Sequence, residues 1–245
     1  MMNAQRTTRW GLDALSLKCI AMFAMTLDHL AWVFVDVESW LSEGLHFIGR
    51  LVAPLMVYFL VVGFYHTKDI KAYAMRLLVF ALIAQLPYWL FSLSIEQILL
   101  GVAWQEYLRG NVLFTLLFTL VALVVWHSDW HPVVKATGIL ALYPMVQLAD
   151  YGFSLVVISL VFAYFYSNKH TMLLAYVLLS PVFYVLTYGF YPTIGLGLMH
   201  FGVLLVVPLI YYFDGSKGKQ VGGRYVFYWF YPVHLSVIAV LDYAV

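Results

Sequence analysis

The chain has 245 residues, of which 64% are hydrophobic and 10% are charged, and its mean hydropathy is +0.89. This small number of polar side chains cannot cover the surface of a water-soluble globular protein of this size. The composition therefore excludes that class and indicates a membrane protein. The net charge is +1 and the basic residues are spread along the chain, which gives no reason to expect a nucleic acid partner.

Apolar stretches follow one another along the whole sequence. A helix needs roughly 20 apolar residues to cross a bilayer core about 30 Å thick. The candidate stretches cover residues 15–35, 44–64, 72–93, 111–127, 134–149, 152–166, 171–190, 194–213 and 225–245. The fourth to sixth are short, so a count of eight or ten stays open. The sequence predicts one all-α, polytopic transmembrane domain over residues 1–245, with about nine spans.

The basic residues between these stretches predict the orientation, because lysine and arginine concentrate on the cytoplasmic side of a membrane. With nine spans and a cytoplasmic N-terminus, only Arg109 falls in an outer segment. We therefore expect the N-terminus inside, the C-terminus outside and a multi-pass location in the inner (cytoplasmic) membrane. The basic residues of the inner segments are Arg6, Arg9, Lys68, Lys71, Arg76, Lys135, Lys169, Lys217, Lys219 and Arg224.

Ionisable side chains at bilayer depth cost on the order of 3 kcal/mol each, so they are candidates for function. In the first stretch, Lys18 and His29 are eleven residues apart, which places them on one helix face about 16 Å from each other. The predicted topology puts Lys18 and Arg76 towards the cytoplasm and the other candidates in the outer half. The candidates of that outer polar layer are Asp28, His29, Arg50, Asn111, His200 and His234, with Gln85 deeper in the third stretch.

The adjacent Asp28 and His29 are hard to explain by packing alone. Histidine is suited to taking and giving a proton near neutral pH. Asp28 either orients His29 or, as the favoured alternative, pairs with Arg50. An isolated polar residue such as Asn111, Gln85 or His200 more often forms hydrogen bonds between helices than acts as a reactive group.

The first stretch reads LKCIAMFAMTLDHLAWVF from Leu17 and resembles the opening of the TraX family, with its pattern LKxIAxxxMxxDH. Further matches follow in order over most of the chain: Gly49 and Arg50 with Pro54, Arg76 before AQLPYW at 84–89, GNVLFTL at 110–116, Tyr151 and Gly152, and YPVHL at 231–235. The resemblance implies the activity for which the family is named, acetylation of a pilin subunit in conjugation systems.

The TraX family is in turn similar to the acyltransferase-3 family of integral-membrane enzymes, which acylate extracytoplasmic sugars with cytoplasmic acyl-CoA. That family's first helix carries an arginine, ten residues and a catalytic histidine, and Lys18 and His29 occupy this pattern here. The resemblance therefore implies that His29 is the general base and that Arg76, with Lys71, holds the CoA phosphates.

Together these features predict transfer of an acetyl group from cytoplasmic acetyl-CoA to an extracytoplasmic amine or hydroxyl, such as a pilin N-terminus or a surface glycan. Asn111 or Arg50 would donate to the oxyanion, and no metal is expected. Lipid and the acceptor are the expected partners. Two other functions stay open: a proton-coupled transporter or flippase, and a non-catalytic pilus assembly factor. The remaining candidates of the polar layer are Gln85, His200, Tyr231 and His234.

Overall fold

The computed structural model describes residues 11–99, 109–188, 198–219 and 225–244, and its regular elements in these ranges are helices. The first four are α1 (Ala14–Phe34), α2 (Trp40–Gly49), α3 (Val52–His66) and α4 (Ile70–Leu99). The next five are α5 (Val112–Trp126), α6 (Pro132–Leu140), α7 (Tyr143–Gln147), α8 (Ser154–Tyr164) and α9 (Lys169–Tyr188). A 3₁₀ segment (Leu198–Leu205), α10 (Val206–Tyr212) and α11 (Val226–Ala244) complete the described chain.

Four helical segments are long and apolar enough to cross a membrane: Ala14–Phe34, Trp40–His66, Ile70–Leu93 and Val226–Ala244. Shorter apolar helices cover Val112–Trp126, Ser154–Tyr164, Lys169–Phe183 and Met199–Tyr212. The prediction of an all-helical fold with apolar, membrane-type helices is thus confirmed for the described residues. The count of nine spans and the sides of the membrane on which the termini lie stay predictions.

Two of the predicted stretches are interrupted. The stretch 134–149 consists of α6 and α7, which are separated by a turn at Ala141 and Leu142. The stretch 44–64 begins earlier, at Trp40, and breaks at Arg50 and Leu51 between α2 and α3. Pro54 explains the break, because it has no amide hydrogen to bond the carbonyl of Arg50 four residues before it.

The turns predicted as cytoplasmic meet at one end of the bundle, here called the basic end. Leu12 and Phe213 form a parallel bridge there, and Lys169 Nζ donates to the Phe213 carbonyl over 2.7 Å. Tyr65 stacks on Tyr166 with ring centroids 4.2 Å apart. The basic end comprises residues 11–13, 65–71, 127–131, 165–170 and 213–219.

Helix α1 is packed between α2 on one side and α11 on the other, and α11 also packs along α4. The approach of α1 to α2 is closest at Gly49, where an added Cβ would overlap the Asp28 side chain. On the other side of α2, an added Cβ at Gly202 would overlap the Phe47 carbonyl oxygen. Glycine at these positions fixes how α2 is sandwiched between α1 and the 3₁₀ segment.

We expect Gly49→Ala to lower the melting temperature of the purified protein in detergent, because overpacking costs about 1–3 kcal/mol. Gly44→Ala on the same helix is the matched control, since its added Cβ has no neighbour within 4 Å. Removing a flexible glycine from a helix interior stabilises by roughly 0.5–1 kcal/mol, so the control is expected to melt slightly higher than the parent. Equal melting temperatures for the two variants would contradict the close approach at Gly49.

Candidate functional site

His29 on α1 and His234 on α11 form a hydrogen-bonded pair. His29 Nδ1 and His234 Nε2 are 2.8 Å apart, and His234 Nδ1 lies 2.8 Å from the carbonyl oxygen of Phe230 one turn earlier. Aromatic rings enclose the pair, because Phe91 meets His29 edge-on at 4.8 Å and Phe230 stacks on His234 at 4.6 Å. The structure thus brings together two of the polar-layer candidates from opposite ends of the sequence.

The hydrogen-bond network assigns the tautomers of two neutral rings. The Phe230 carbonyl only accepts, so His234 Nδ1 carries the hydrogen and His234 Nε2 is an acceptor. His29 Nδ1 must then donate to it, which leaves the lone pair of His29 on Nε2. His29 is partly exposed. The pair is therefore arranged so that His29 presents a basic nitrogen whose partner nitrogen is held in place.

A cavity of about 890 Å³ opens at the basic end and runs towards this pair. Its volume lies in the range of roughly 300–1,000 Å³ that holds small-molecule ligands. Met25, Phe230 and Tyr231 line its inner end. His29 and His234 follow Met25 and Phe230 by four residues, about 6 Å further along each helix. The cavity thus reaches to within about one helical turn of the histidine pair, although neither histidine is among its lining residues.

Basic side chains surround the mouth of the cavity. Lys18 lines its wall, with its ammonium 4.8 Å from the centre of the Phe227 ring and 5.6 Å from that of Phe59. Arg76 lines it too, whereas Lys71 is exposed and is not among the lining residues. A role for Lys71 in holding the donor thus stays a prediction. The other basic residues at the mouth are His66, Lys169, Lys217 and Lys219.

Asp28 faces away from the histidine pair and towards α2. Its Oδ1 accepts a hydrogen bond from His46 Nδ1 over 2.8 Å, and both side chains are buried. Trp32 covers the His46 ring at 4.2 Å. Among the hydrogen bonds described, the partner of Asp28 is His46, and the charge of Arg50 also acts on Asp28. The Asp28–Arg50 pair thus stays a prediction.

A second polar cluster, the α2 cluster, surrounds this pair at the contact between α2 and the 3₁₀ segment. Glu43 Oε1 accepts from the Met199 amide over 2.6 Å, and the Arg50 guanidinium lies 3.9 Å from Met199 Sδ. His200 interacts with the charges of both Glu43 and Arg50. All of these side chains are buried, so α1, α2 and the 3₁₀ segment are joined by polar contacts as well as by close backbone packing.

Asn111 is saturated by structural hydrogen bonds. Its Oδ1 caps α5 by accepting from the Leu113 amide over 3.0 Å. Its Nδ2 donates to the Ala81 carbonyl over 2.8 Å and to Gln85 Oε1 over 2.9 Å. Gln85 in turn donates to the Arg109 carbonyl over 2.8 Å. Both amide hydrogens of Asn111 are therefore engaged in joining α4 to α5, and neither is directed to a ligand.

Tyr231, the other candidate of the YPVHL motif, is buried beside His234, with ring centroids 5.7 Å apart. Asp150, which lies between the fifth and sixth predicted stretches, is near Tyr231. Its Oδ1 accepts from the Tyr151 amide over 3.0 Å, at a position where Tyr151 has a positive φ of 64°. This turn therefore brings a carboxylate to the side of the polar layer.

Several residues of these sites were not selected from the sequence. Glu43 and His46 precede Arg50 by seven and four residues, a spacing that places all three on one face of a helix and that could have revealed them. The lysines 169, 217 and 219 had been assigned to cytoplasmic turns, but the turns that share a cavity cannot be read from the sequence. Within the described residues, no group of three His, Cys, Asp or Glu side chains is arranged to hold a metal ion.

These features define an apolar helical protein of the membrane type, with a part-buried histidine pair near a cavity that has a basic mouth. The chain matches the family model described as TraX protein over residues 14–242. It is 38% identical over 230 residues to the probable fimbrial assembly protein FimC, serogroup H1, of Dichelobacter nodosus, which covers 92% of this chain and 94% of that protein. The chain therefore belongs to the TraX family. No solved structure matches it significantly.

We expect Asn111→Asp to lower the melting temperature while leaving the histidine pair intact. The aspartate keeps the cap on α5 but loses both donated hydrogen bonds, and an unsatisfied buried acceptor costs about 1–3 kcal/mol. The measurements are thermal unfolding in detergent and, per folded molecule, the turnover assay described below. A large loss of turnover with unchanged stability would instead support a catalytic role for Asn111.

Proposed function

We propose that this protein is a membrane-embedded acyltransferase that moves an acetyl group from acetyl-CoA to an amine or hydroxyl acceptor. The observation that carries the proposal is the His29–His234 pair standing one turn beyond a cavity whose mouth is basic. A histidine base beyond the deep end of the cavity and cations at its mouth match acetyl-CoA, a long molecule with a reactive thioester at one end and phosphates at the other.

His29 acts as the general base in this proposal. The tautomer assigned above leaves Nε2 unprotonated, and the hydrogen bond to His234 holds the ring in one orientation. The ring is partly exposed, so an acceptor has a way to reach it. Met25 lines the end of the cavity below His29, and the flexible methionine side chain must move aside for the thioester to reach Nε2.

The transfer itself needs only these groups. Nε2 of His29 takes the proton from the acceptor nitrogen or oxygen as that atom attacks the thioester carbonyl carbon. The new carbon–nitrogen or carbon–oxygen bond forms, the carbon–sulfur bond breaks, and the CoA thiolate leaves with the proton that His29 returns. Both amide hydrogens of Asn111 are engaged with Ala81 and Gln85, so we assign stabilisation of the oxyanion to Arg50 rather than to Asn111.

The donor side of the cavity is suited to an anionic head group. Lys18 and Arg76 line the cavity wall from two different helices. The Lys18 ammonium lies over an aromatic ring and lines the cavity. Lys18 precedes His29 by about 16 Å along α1, comparable with the length of a pantetheine arm. Phosphates held near Lys18 would therefore bring a thioester to the level of the histidine pair.

The acceptor we favour is a fimbrial or pilin subunit with a free amine. The support is the relative from Dichelobacter nodosus, whose printed name is that of a fimbrial assembly protein. The same name supports a second candidate function, a non-catalytic factor for pilus assembly, in which the polar layer recognises a subunit. The resemblance to sugar-acylating membrane enzymes keeps a surface glycan as the alternative acceptor.

We expect His29→Ala to lower the rate of CoA release by about 10²–10⁴-fold, the usual contribution of a general base. The assay uses purified protein in detergent, radiolabelled acetyl-CoA and membranes from pilus-producing cells as the source of acceptor. His131→Ala is the control, since His131 is an exposed histidine of the α5–α6 turn. Binding of acetyl-CoA without turnover in the parent protein would favour the assembly factor, and a proton flux abolished by Asp28→Asn would favour a transporter.

Variants of His234 distinguish two roles for this residue, orienting the His29 ring and relaying a proton. We expect His234→Ala to lower turnover by about 10²-fold, because His29 loses the acceptor that fixes its tautomer. His234→Gln keeps an oxygen acceptor near the position of Nε2 and is expected to retain most of the activity. The measurement is kcat for both variants in the same assay. If the glutamine variant is as inactive as the alanine variant, His234 carries a proton rather than only orienting His29.

A further inference from the structure

The turn after α10 forms a basic loop at the rim of the cavity. It reads Asp214-Gly215-Ser216-Lys217-Gly218-Lys219, and all of its residues except Gly218 line the cavity. Gly215 and Gly218 have positive φ angles of 83° and 70°, a region that favours glycine. These two glycines let six residues turn tightly while both lysines stay exposed.

This loop is anchored to the start of the chain rather than hanging free. The Leu12 amide donates to the Tyr212 carbonyl and the Asp214 amide donates to the Leu12 carbonyl, over 2.9 and 3.0 Å. The Ala14 amide donates to the Ser216 carbonyl over 2.9 Å, and an added Cβ at Gly218 would overlap the Asp13 carboxylate. The backbone of the loop is therefore held against the N-terminus of α1, beside Lys18.

The charge of the loop is available to a ligand. Its one carboxylate, Asp214, accepts a hydrogen bond from the Ser216 amide over 2.7 Å and interacts with the charge of Lys169. Within the described chain, the ammonium groups of Lys217 and Lys219 have no hydrogen-bond or ion-pair partner. Two unpaired cations next to a hydroxyl on an anchored backbone form a suitable site for a phosphate monoester.

The order of cations along the cavity indicates which phosphate of an acyl-CoA would lie at the loop 214–219. Lys18 and Arg76 are part-buried in the helical wall, whereas Lys217 and Lys219 are exposed on the rim. In an acyl-CoA, the pyrophosphate follows the pantetheine arm, and the 3′-phosphate of the nucleotide is furthest from the thioester. A donor with its thioester below His29 would present its pyrophosphate to Lys18 and Arg76 and its 3′-phosphate to the loop.

We infer that the loop 214–219 is a recognition site for the 3′-phosphate of the acyl-CoA donor, read by Lys217 and Lys219. This inference rests on the proposed acyltransferase function and adds a specificity to it: the protein distinguishes CoA from its 3′-dephospho form.

Binding of acetyl-CoA and acetyl-3′-dephospho-CoA to the full chain in an uncharged detergent, measured by calorimetry, tests the inference. We expect the parent protein to bind acetyl-CoA about tenfold more tightly, the size of one charge-assisted contact. In the double variant K217Q/K219Q this difference is expected to vanish. The control is K68Q, which removes an exposed charge from the same end of the bundle at a residue that does not line the cavity. It is expected to keep the tenfold difference.

The outcomes separate the inference from the function on which it rests. If the parent protein binds both donors equally, or if K217Q/K219Q weakens both by the same factor, the loop does not read the 3′-phosphate, and the acyltransferase proposal still stands. Equal weakening of both donors would mean that the loop attracts anions in general, including lipid head groups. Anionic lipid, added back in vesicles, would then compete with both donors for binding. If neither donor binds to the parent, both the inference and the proposed function fail.

Discussion

The contact between His29 and His234 ties the first helix of the chain to the last, and much of the rest of the structure serves to hold these two helices in register. A hydrogen bond of 2.8 Å between ring nitrogens requires α1 and α11 to be fixed to within a few tenths of an ångström, both along their axes and in rotation. The Asp28–His46 bond and the glycine contact at Gly49 supply that restraint from the opposite side of α1. The α2 cluster thus contributes to the histidine pair without touching it.

This arrangement explains why two ionisable residues are adjacent in one membrane helix. Neighbouring side chains on a helix point about 100° apart, so a helix packed on two sides can direct each of them to a different partner. Asp28 faces α2 and restrains the rotation of α1, whereas His29 faces α11. The same carboxylate interacts with the charge of His29. One pair of residues therefore provides both the restraint and the candidate base.

Features that depend on local sequence pattern were predicted from the sequence, whereas side-chain pairings that depend on which helices pack together were missed. Apolar runs indicated most of the helices, and the cost of buried charge indicated His29 and His234. Neither the pairing of these two histidines nor that of Asp28 with His46 follows from spacing, because each joins helices whose adjacency is set by packing. Asn111 shows the same limit: a polar residue in the stretch GNVLFTL suggested an oxyanion donor, but its position before α5 and opposite Ala81 makes it a cap and a link between helices.

The direction of the cavity has a consequence for how two substrates would meet. The cavity opens at the basic end and has Met25 and Phe230 in its lining, so in the proposed function a donor that fills it occupies this route towards His29. The partly exposed His29 ring must then receive its acceptor from another direction. In the proposed reaction the acceptor attacks the thioester carbonyl directly and His29 takes only its proton, so the two ligands reach His29 by separate routes and meet there. Such a geometry needs helices long enough to separate the approaches, which gives a physical reason for building the site within a bundle of membrane-type helices.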